Sequence, residues 1–192
     1  VTTDESINAG NYHIKNCIFT NVAIRFFEYG INFSSVAYLN IFDKVLVYNC
    51  TTGILIDKGS ASENGGQTRF YGCTTASCDT GFNLNSVNTS TGSFALFGCT
   101  LSEGDTGLVV GEECIVYMSG CEIESNSIAG LYIEIKEANP NSQATKYIVN
   151  NKFFTNGSDI WINKTIDAYA GGGFAFPMLI DGNVFLSDEG LK

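Results

Sequence analysis

The sequence is poor in charge, in proline and in methionine, and its apolar residues follow no helical period. Charged residues make up 16% of the 192 residues, and there are two prolines and two methionines. We find no heptads and no sustained stripe with a 3.6-residue period, so a coiled coil or helical bundle is disfavoured. The 21 glycines, 14 phenylalanines and nine tyrosines favour strands and turns instead.

Basic residues are scarce as well. Ten Lys and Arg stand against 20 Asp and Glu, which gives a formal net charge of −10 and a pI of about 4.4. A nucleic-acid-binding protein needs a basic face to displace counterions, and so does a protein that binds an anionic membrane surface. No apolar run reaches the 18 residues of a transmembrane helix. We therefore expect neither nucleic acid nor a membrane as a partner.

The cysteines recur in one sequence context. Five of the seven follow Asn or Gly and have an apolar residue three positions before them, and two asparagines continue the series. These seven ladder positions are Cys17, Cys50, Cys73, Cys99, Cys121, Asn151 and Asn183. Asn and Gly are the residues that tolerate a left-handed backbone. Each ladder position is therefore predicted to follow a tight bend.

The ladder positions mark an internal repeat. Successive positions are 22 to 33 residues apart, which indicates one structural unit per repeat with loops of variable length. A second strand signal with period-two alternation follows inside most repeats, as in "GILID" at Gly53 and "GFNLN" at Gly81. Stacked units of this kind form a solenoid in which equivalent strands pair from coil to coil.

This pattern resembles the right-handed parallel β-helix of the pectate-lyase type, which carries an asparagine ladder at such a bend. The stretches "IVNNKFF" and "LIDGNVF" match that motif, and "FYGCTT" and "LFGCTL" match it with Cys in place of Asn. The resemblance covers roughly residues 12 to 187. It implies an all-β, single-stranded right-handed parallel β-helix of about seven coils in residues 12–192, with inserted loops at 58–67, 137–145 and 165–173.

Residues 1–11 are expected to form an N-terminal cap or linker. Because the sequence begins at Val1 rather than Met, we expect the β-helix to be a domain of a longer chain.

The ladder cysteines have three interpretations. Stacked thiols fit the odd number of cysteines, the shared corner context and the replacement by Asn in the last two repeats. A disulfide between Cys73 and Cys99 on neighbouring coils is an alternative, since bridged residues need Cβ atoms close together. A metal site is the third, but the chain has no CxxC pair and a single histidine. We expect no metal and no cofactor, and reduced thiols fit assembly in a cytosol.

Several aromatic residues are predicted to face outward. Tyr48, Tyr71 and Phe97 each lie two positions before a ladder residue, so they should form a column on consecutive coils. Tyr132 and Trp161 should be neighbours on the second strand. Such an exposed apolar surface needs cover. It can be a subunit interface, a platform on which sugar rings stack, or a surface covered by an inserted loop.

Carboxylates are the candidate catalytic groups, because glycoside hydrolysis uses a pair of them. Asp79 and Asp105 each lie six residues after a ladder cysteine, and Glu103 and Glu124 lie close to them in the predicted coils. Carboxylates at equivalent positions one coil apart would be about 5 Å apart, the separation of a retaining pair. The alternative is that the two aspartates form turns before a strand and that the two glutamates belong to a solvated face.

The resemblance is greatest to bacteriophage tailspikes. It implies a homotrimeric component of the virion, assembled in the host cytoplasm, that recognises and hydrolyses bacterial surface polysaccharide such as O-antigen or capsule. One alternative is a non-enzymatic adhesin that binds carbohydrate or only builds a structure. The other is a secreted polysaccharide lyase, which the scarcity of basic residues disfavours.

Overall fold

The computed structural model describes residues 2–3, 14–33, 37–57, 67–85, 93–111, 114–135, 145–164 and 178–186. Most of the predicted cap and nearly all of the three predicted inserted loops lie outside these ranges. The described residues are organised in strands without a helix, so none of them forms a helix that could cross a membrane.

Three parallel sheets of seven strands each build the molecule. Sheet 1 contains β3 (Ile18–Thr20), β7 (Ile41–Asp43), β10 (Thr68–Tyr71), β13 (Ser93–Phe97), β16 (Ile115–Ser119), β19 (Lys146–Val149) and β22 (Met178–Asp181). Sheet 2 contains β4 (Ala23–Arg25), β8 (Leu46–Tyr48), β11 (Thr74–Ala76), β14 (Thr100–Ser102), β17 (Glu122–Glu124), β20 (Lys152–Phe154) and β23 (Val184–Phe185). Sheet 3 contains β1 (Thr2–Thr3), β5 (Tyr29–Phe33), β9 (Thr52–Asp57), β12 (Thr80–Asn85), β15 (Thr106–Val110), β18 (Ala129–Ile135) and β21 (Ile160–Lys164).

The chain visits the three sheets in the same order in every coil. A strand of sheet 1 leads through a first corner to sheet 2, and a second corner leads to sheet 3. Six successive coils contribute a strand to all three sheets, with β1 before them and β22 and β23 after them. Near the start, β2 (Ile14–Lys15) and β6 (Ala37–Tyr38) form a separate parallel pair. The parallel β-solenoid predicted from the repeat is thus confirmed, but the described residues form six complete coils where the sequence predicted about seven.

Period-two alternation places one face of each strand in a shared core. In β13, Phe94 and Leu96 are fully buried, whereas Ala95 and Phe97 face outward. Equivalent inward residues stack from coil to coil, as in the rings of Phe19, Phe42 and Phe70, whose successive centroids are 4.8 and 5.0 Å apart. These distances match the spacing of paired strands, so the core consists of continuous columns of apolar side chains.

A ladder runs through the first corner over five consecutive coils. Each ladder residue follows a residue with positive φ, and its side chain donates to the carbonyl three positions before the equivalent residue of the preceding coil. The bonds are Cys73 Sγ to Phe42 O (3.4 Å), Cys99 Sγ to Phe70 O (3.6 Å), Cys121 Sγ to Leu96 O (3.5 Å), Asn151 Nδ2 to Met118 O (3.1 Å) and Asn183 Nδ2 to Ile148 O (2.7 Å). For these five residues, the sequence predicted the corner correctly.

Cys50 was assigned to the wrong corner. Because Leu46–Tyr48 pairs with Thr74–Ala76, the residue equivalent to Cys73 in the preceding coil is Val45. Cys50 instead follows Asn49, which has φ 53° at the second corner.

The second corner carries a ladder of its own, which the sequence analysis missed. Its donors are Cys78 Sγ to Val47 O (3.9 Å), Asn126 Nδ2 to Leu101 O (3.2 Å) and Asn156 Nδ2 to Ile123 O (3.0 Å). These bonds follow the same rule as those of the first corner. Both corners therefore use the same backbone conformation and the same bond between coils. In sequence, the pair Asn49-Cys50 resembles the first corner, whereas Ser77, Ser125 and Thr155 precede the ladder residues elsewhere at the second corner.

Cys17 was also assigned to the wrong corner. It directly precedes β3 and follows Asn16, which has φ 54°. Its backbone N–H donates to Asn40 Oδ1 (3.1 Å), and Asn40 holds the equivalent place before β7 in the next coil. This is a third corner, at the entry to sheet 1.

Candidate functional site

The outer face of sheet 1 carries a run of aromatic side chains on four consecutive coils. Tyr71 pairs with Phe97 across β10 and β13, and their rings stack with centroids 5.4 Å apart and planes inclined by 19°. Tyr117 and Tyr147 pair across β16 and β19, and their rings stack at 4.7 Å and 7°. We call these four residues the aromatic strip. Phe97 and Tyr117 are 38% and 41% exposed, so the strip presents apolar surface to solvent.

A groove of about 610 Å³ lies beside the strip. Its lining residues are Gln67, Thr68, Arg69, Tyr71, Ser93, Phe94, Ala95, Phe97 and Tyr117. Arg69, Ala95 and Tyr117 are successive members of one outward column, because they pair across β10, β13 and β16. The small side chain of Ala95 between two long ones opens the groove at that point.

Tyr48 does not belong to this strip, contrary to the prediction. It lies on β8 in sheet 2, where it pairs with Arg25 and Ala76. Its hydroxyl accepts a hydrogen bond from Arg25 Nη1 (2.7 Å), and its ring meets that of Phe26 edge-on at 6.2 Å. The error has the same cause as that for Cys50, since Tyr48 was numbered from a residue of the other corner.

Tyr132 and Trp161 are neighbours on the outer face of sheet 3, as predicted. They pair across β18 and β21, and their rings are 5.5 Å apart at an angle of 79°. The Nδ2 of Asn163 donates to the Tyr132 hydroxyl at 2.5 Å. Trp161 is 38% exposed, so this pair is a second, smaller aromatic surface.

Asp79 and Asp105 occupy equivalent exposed positions after the second corner. The backbone N–H groups of Asp105 and Thr106 both donate to Asp79 O, at 3.0 and 2.9 Å. The Ser127 hydroxyl donates to Asp105 Oδ1 at 2.6 Å. Both aspartates thus lie in the turn that leads into sheet 3, the position expected for turn-forming residues.

Glu103 and Glu124 lie on adjacent coils near the same corner. Glu103 has φ 57° and its Oε2 accepts a hydrogen bond from Ser77 Oγ (3.0 Å) on the preceding coil. Glu124 ends β17, where it pairs with Ser102, and its carbonyl accepts from the Glu103 N–H at 3.2 Å. Ser77 on the preceding coil thus binds the Glu103 carboxylate, and Ser127 on the following coil binds the Asp105 carboxylate.

Six of the seven thiols are buried, and Cys17 is half-buried. None of the seven cysteines, all of which lie in the described ranges, forms a disulfide. Hydrogen bonds with the thiols of Cys121 and Cys73, together with burial, raise the pKa of Cys99 well above its usual range. Burial likewise raises the pKa of the Cys78 thiol. Across the described ranges, no three His, Cys, Asp or Glu side chains are grouped so that they could hold a metal ion.

Sequence reasoning missed Tyr117 and Tyr147, although a signal for them exists. The predicted column contains only the outward residue two positions before each ladder residue. In a strand with period-two alternation, the residue four positions before is outward as well. In the last five coils these residues are Arg69, Ala95, Tyr117, Tyr147 and Leu179.

The fold and its surface together define a parallel β-solenoid with an aromatic groove on one sheet. No family profile, curated protein or solved structure matches the chain.

Proposed function

We propose that the chain is the receptor-binding β-solenoid of a bacteriophage tailspike, similar to the pectate-lyase type, and that its groove binds bacterial surface polysaccharide. The observation that supports this proposal is the aromatic strip along four consecutive coils with the groove beside it. A sugar ring has apolar C–H faces that pack against aromatic rings. The polar side chains of Gln67 and Ser93 at the same groove supply hydrogen-bonding groups for the hydroxyls.

The direction of the strip favours an extended polymer over a small ligand. Tyr71 and Phe97 stack in one outward column, and Tyr117 and Tyr147 stack in the next column, two residues earlier on each strand. With a strand spacing of about 4.8 Å, the four rings extend over roughly three spacings along the solenoid axis, with one sideways step between the two pairs. A linear glycan laid parallel to this axis would contact several rings in succession. The proposal therefore concerns an oligosaccharide segment within a chain.

Binding is better supported than cleavage. The candidate carboxylates lie at the second corner and on sheet 2, whereas the strip lies on sheet 1. A glycosidase needs both carboxylates beside the scissile bond. We therefore propose binding as the function of the groove and treat hydrolysis by Asp79, Glu103, Asp105 or Glu124 as a separable activity.

Assembly in a reducing compartment is part of the proposal. Buried thiols that form no disulfide fit folding in a bacterial cytoplasm, where thiols are kept reduced. The chain would then reach the cell exterior as a component of the virion.

The test is a binding assay on immobilised capsule and O-antigen polysaccharides from a panel of bacterial strains. Wild-type protein is expected to bind a subset, and Tyr117→Ala is expected to weaken binding about tenfold or more, since truncation of an aromatic anchor in a binding surface costs about 2 kcal/mol or more. Tyr48→Ala is the matched control, because it removes an aromatic side chain from sheet 2. Equal loss in both variants, or no binding by the wild type, would contradict the proposal.

The same panel separates binding from cleavage. New reducing ends in the bound polysaccharide would indicate hydrolysis, and ultraviolet absorbance from unsaturated uronate would indicate a lyase. Binding with neither product would leave the chain a receptor-binding solenoid without enzymatic activity.

A further inference from the structure

The groove contains a slot that is one side chain wide. Ala95 pairs with Arg69 on one neighbouring strand and with Tyr117 on the other. The two long side chains are therefore two strand spacings apart, about 10 Å, with only a methyl group between them. Phe97, the next outward residue of β13, bounds the slot on one side.

One wall of the slot is the face of an aromatic ring. Tyr117 stacks on Tyr147 at 4.7 Å with nearly parallel planes, and this separation equals one strand spacing. The ring plane of Tyr117 therefore lies across the solenoid axis, with one face on Tyr147 and the other turned toward Ala95. A ring-shaped ligand placed over Ala95 would stack on that second face.

The opposite wall carries a cation, which is the only one among the described residues that line the groove. Arg69 lines it, and no carboxylate is found among the described residues that do so. The chain as a whole has a formal net charge of −10. The groove is thus a local exception on an acidic protein, where one anionic group would be attracted and a densely charged polyanion would be repelled.

We infer that the slot binds one carboxylate-bearing sugar of a heteropolysaccharide that has a single acidic residue in each repeat. The sugar ring stacks on Tyr117, and its carboxylate accepts hydrogen bonds from the guanidinium of Arg69, whose planar fork matches a carboxylate. Arg69 is then the residue that selects for charge. This inference rests on the proposed function of the groove and specifies the class of polysaccharide.

A carboxylate fits the slot better than a phosphate does. A sugar carboxylate is attached to the ring itself, so ring stacking and the contact with Arg69 can form in the same slot. A phosphodiester lies between two sugars and would separate the two contacts. A polyuronate carries a charge on every sugar, whereas the described lining of the groove offers one cation, Arg69.

The experiment compares four groups of immobilised bacterial polysaccharides: neutral, one carboxylate per repeat, one phosphate per repeat, and polyuronate. Wild-type protein is expected to bind best in the second group. Reduction of the carboxyl groups to alcohols should weaken this binding about tenfold or more, as should Arg69→Gln. Arg69→Lys should restore part of the binding, since it keeps the charge but not the planar fork.

Two controls separate the slot from general effects. Arg25→Gln removes the other arginine, on sheet 2, and should leave binding unchanged. Ala95→Phe should fill the slot and abolish binding of the acidic polysaccharide, whereas Ala76→Phe makes the same change on the outer face of sheet 2 and should not. The thermal unfolding midpoint of each variant shows whether it is folded. If Ala95→Phe is misfolded, Arg69→Gln tests the slot in its place, and the reverse holds if Arg69→Gln is misfolded.

Each outcome has a consequence. Binding confined to neutral polysaccharides, or unchanged by Arg69→Gln and by carboxyl reduction, overturns this inference and leaves the proposed function intact. Preference for the phosphate group or for polyuronate overturns it as well. If wild-type protein binds no group, the proposed function itself fails.

Discussion

At the scale of single residues, the ladder uses two side chains for the same task. A thiol donates one long hydrogen bond to the carbonyl of the preceding coil, at 3.4 Å for Cys73 and 3.6 Å for Cys99. Asn151 makes the equivalent bond at 3.1 Å and in addition accepts the Cys121 N–H at 2.9 Å. The Asn151 side chain therefore makes two hydrogen bonds to the preceding coil, one as donor and one as acceptor. Asparagine can thus replace cysteine in the later coils.

The first prediction concerns Asn151. Asn151→Ala is expected to lower the free energy of unfolding by about 2–4 kcal/mol, because it leaves the buried Cys121 N–H and the Met118 carbonyl without their partner. Urea unfolding followed by circular dichroism measures this change. Asn150→Gly is the control, since Gly fits its φ of 56° and should change stability little. Similar values for the two variants would contradict the structural role of the ladder.

At the scale of elements, glycine recurs in the strands of sheet 3. Five glycines lie near the start of successive strands, and a Cβ on each would come within 2.5–2.9 Å of a backbone carbonyl oxygen on the next coil. They are Gly30, Gly53, Gly81, Gly107 and Gly130. This close approach of neighbouring coils explains why the second strand signal begins with Gly in these five repeats.

The second prediction concerns this column of glycines. In Gly81→Ala the new Cβ would lie 2.5 Å from Gly107 O and 2.6 Å from Thr75 Oγ1. The backbone must shift, so we expect the free energy of unfolding to fall by about 1–3 kcal/mol. Asn83→Ala, two residues along the same strand and on its outer face, serves as the control and should cost less than about 1 kcal/mol. Equal unfolding midpoints for the two variants would contradict the proposed close approach.

The strands could be predicted from the sequence, but the corners could not be told apart. Alternation such as that in "GFNLN" indicates one buried face, and Phe82 and Leu84 are indeed buried. At both corners a residue with positive φ precedes the ladder position, and Asn49-Cys50 at the second corner has the residue types typical of the first. Cys50 and Cys73 therefore look alike in sequence although they lie at different corners.

At the scale of the whole molecule, the solenoid offers three outer faces, and the aromatic strip occupies one of them. Two uses of that strip compete. If it binds polysaccharide, as proposed, a trimer must form through another face. If it is the trimer interface, the groove is closed. The mass in solution of a variant in the strip distinguishes the two uses.

The third prediction is that the wild-type chain and its Tyr117→Ala variant both have the mass of three chains by light scattering. A closed symmetric assembly is the commonest form of homo-oligomer, and the proposed tailspike role implies a trimer. A wild-type mass of one chain would contradict the trimer. A trimeric wild type with a monomeric variant would instead assign the strip to the subunit interface.

The sequence by itself determined the class of this protein, because periodicity is a local property. Repeated bends and alternating strands specify a coil, and coils of similar length must stack to bury their apolar faces. Only the tertiary structure decided which residues of different coils are neighbours. The pair Asn49-Cys50 resembles the first corner but lies at the second, so Tyr48 is not in the predicted column. Strand pairing between coils also brings Arg69, Ala95 and Tyr117, which are 48 residues apart in the chain from first to last, together beside the groove.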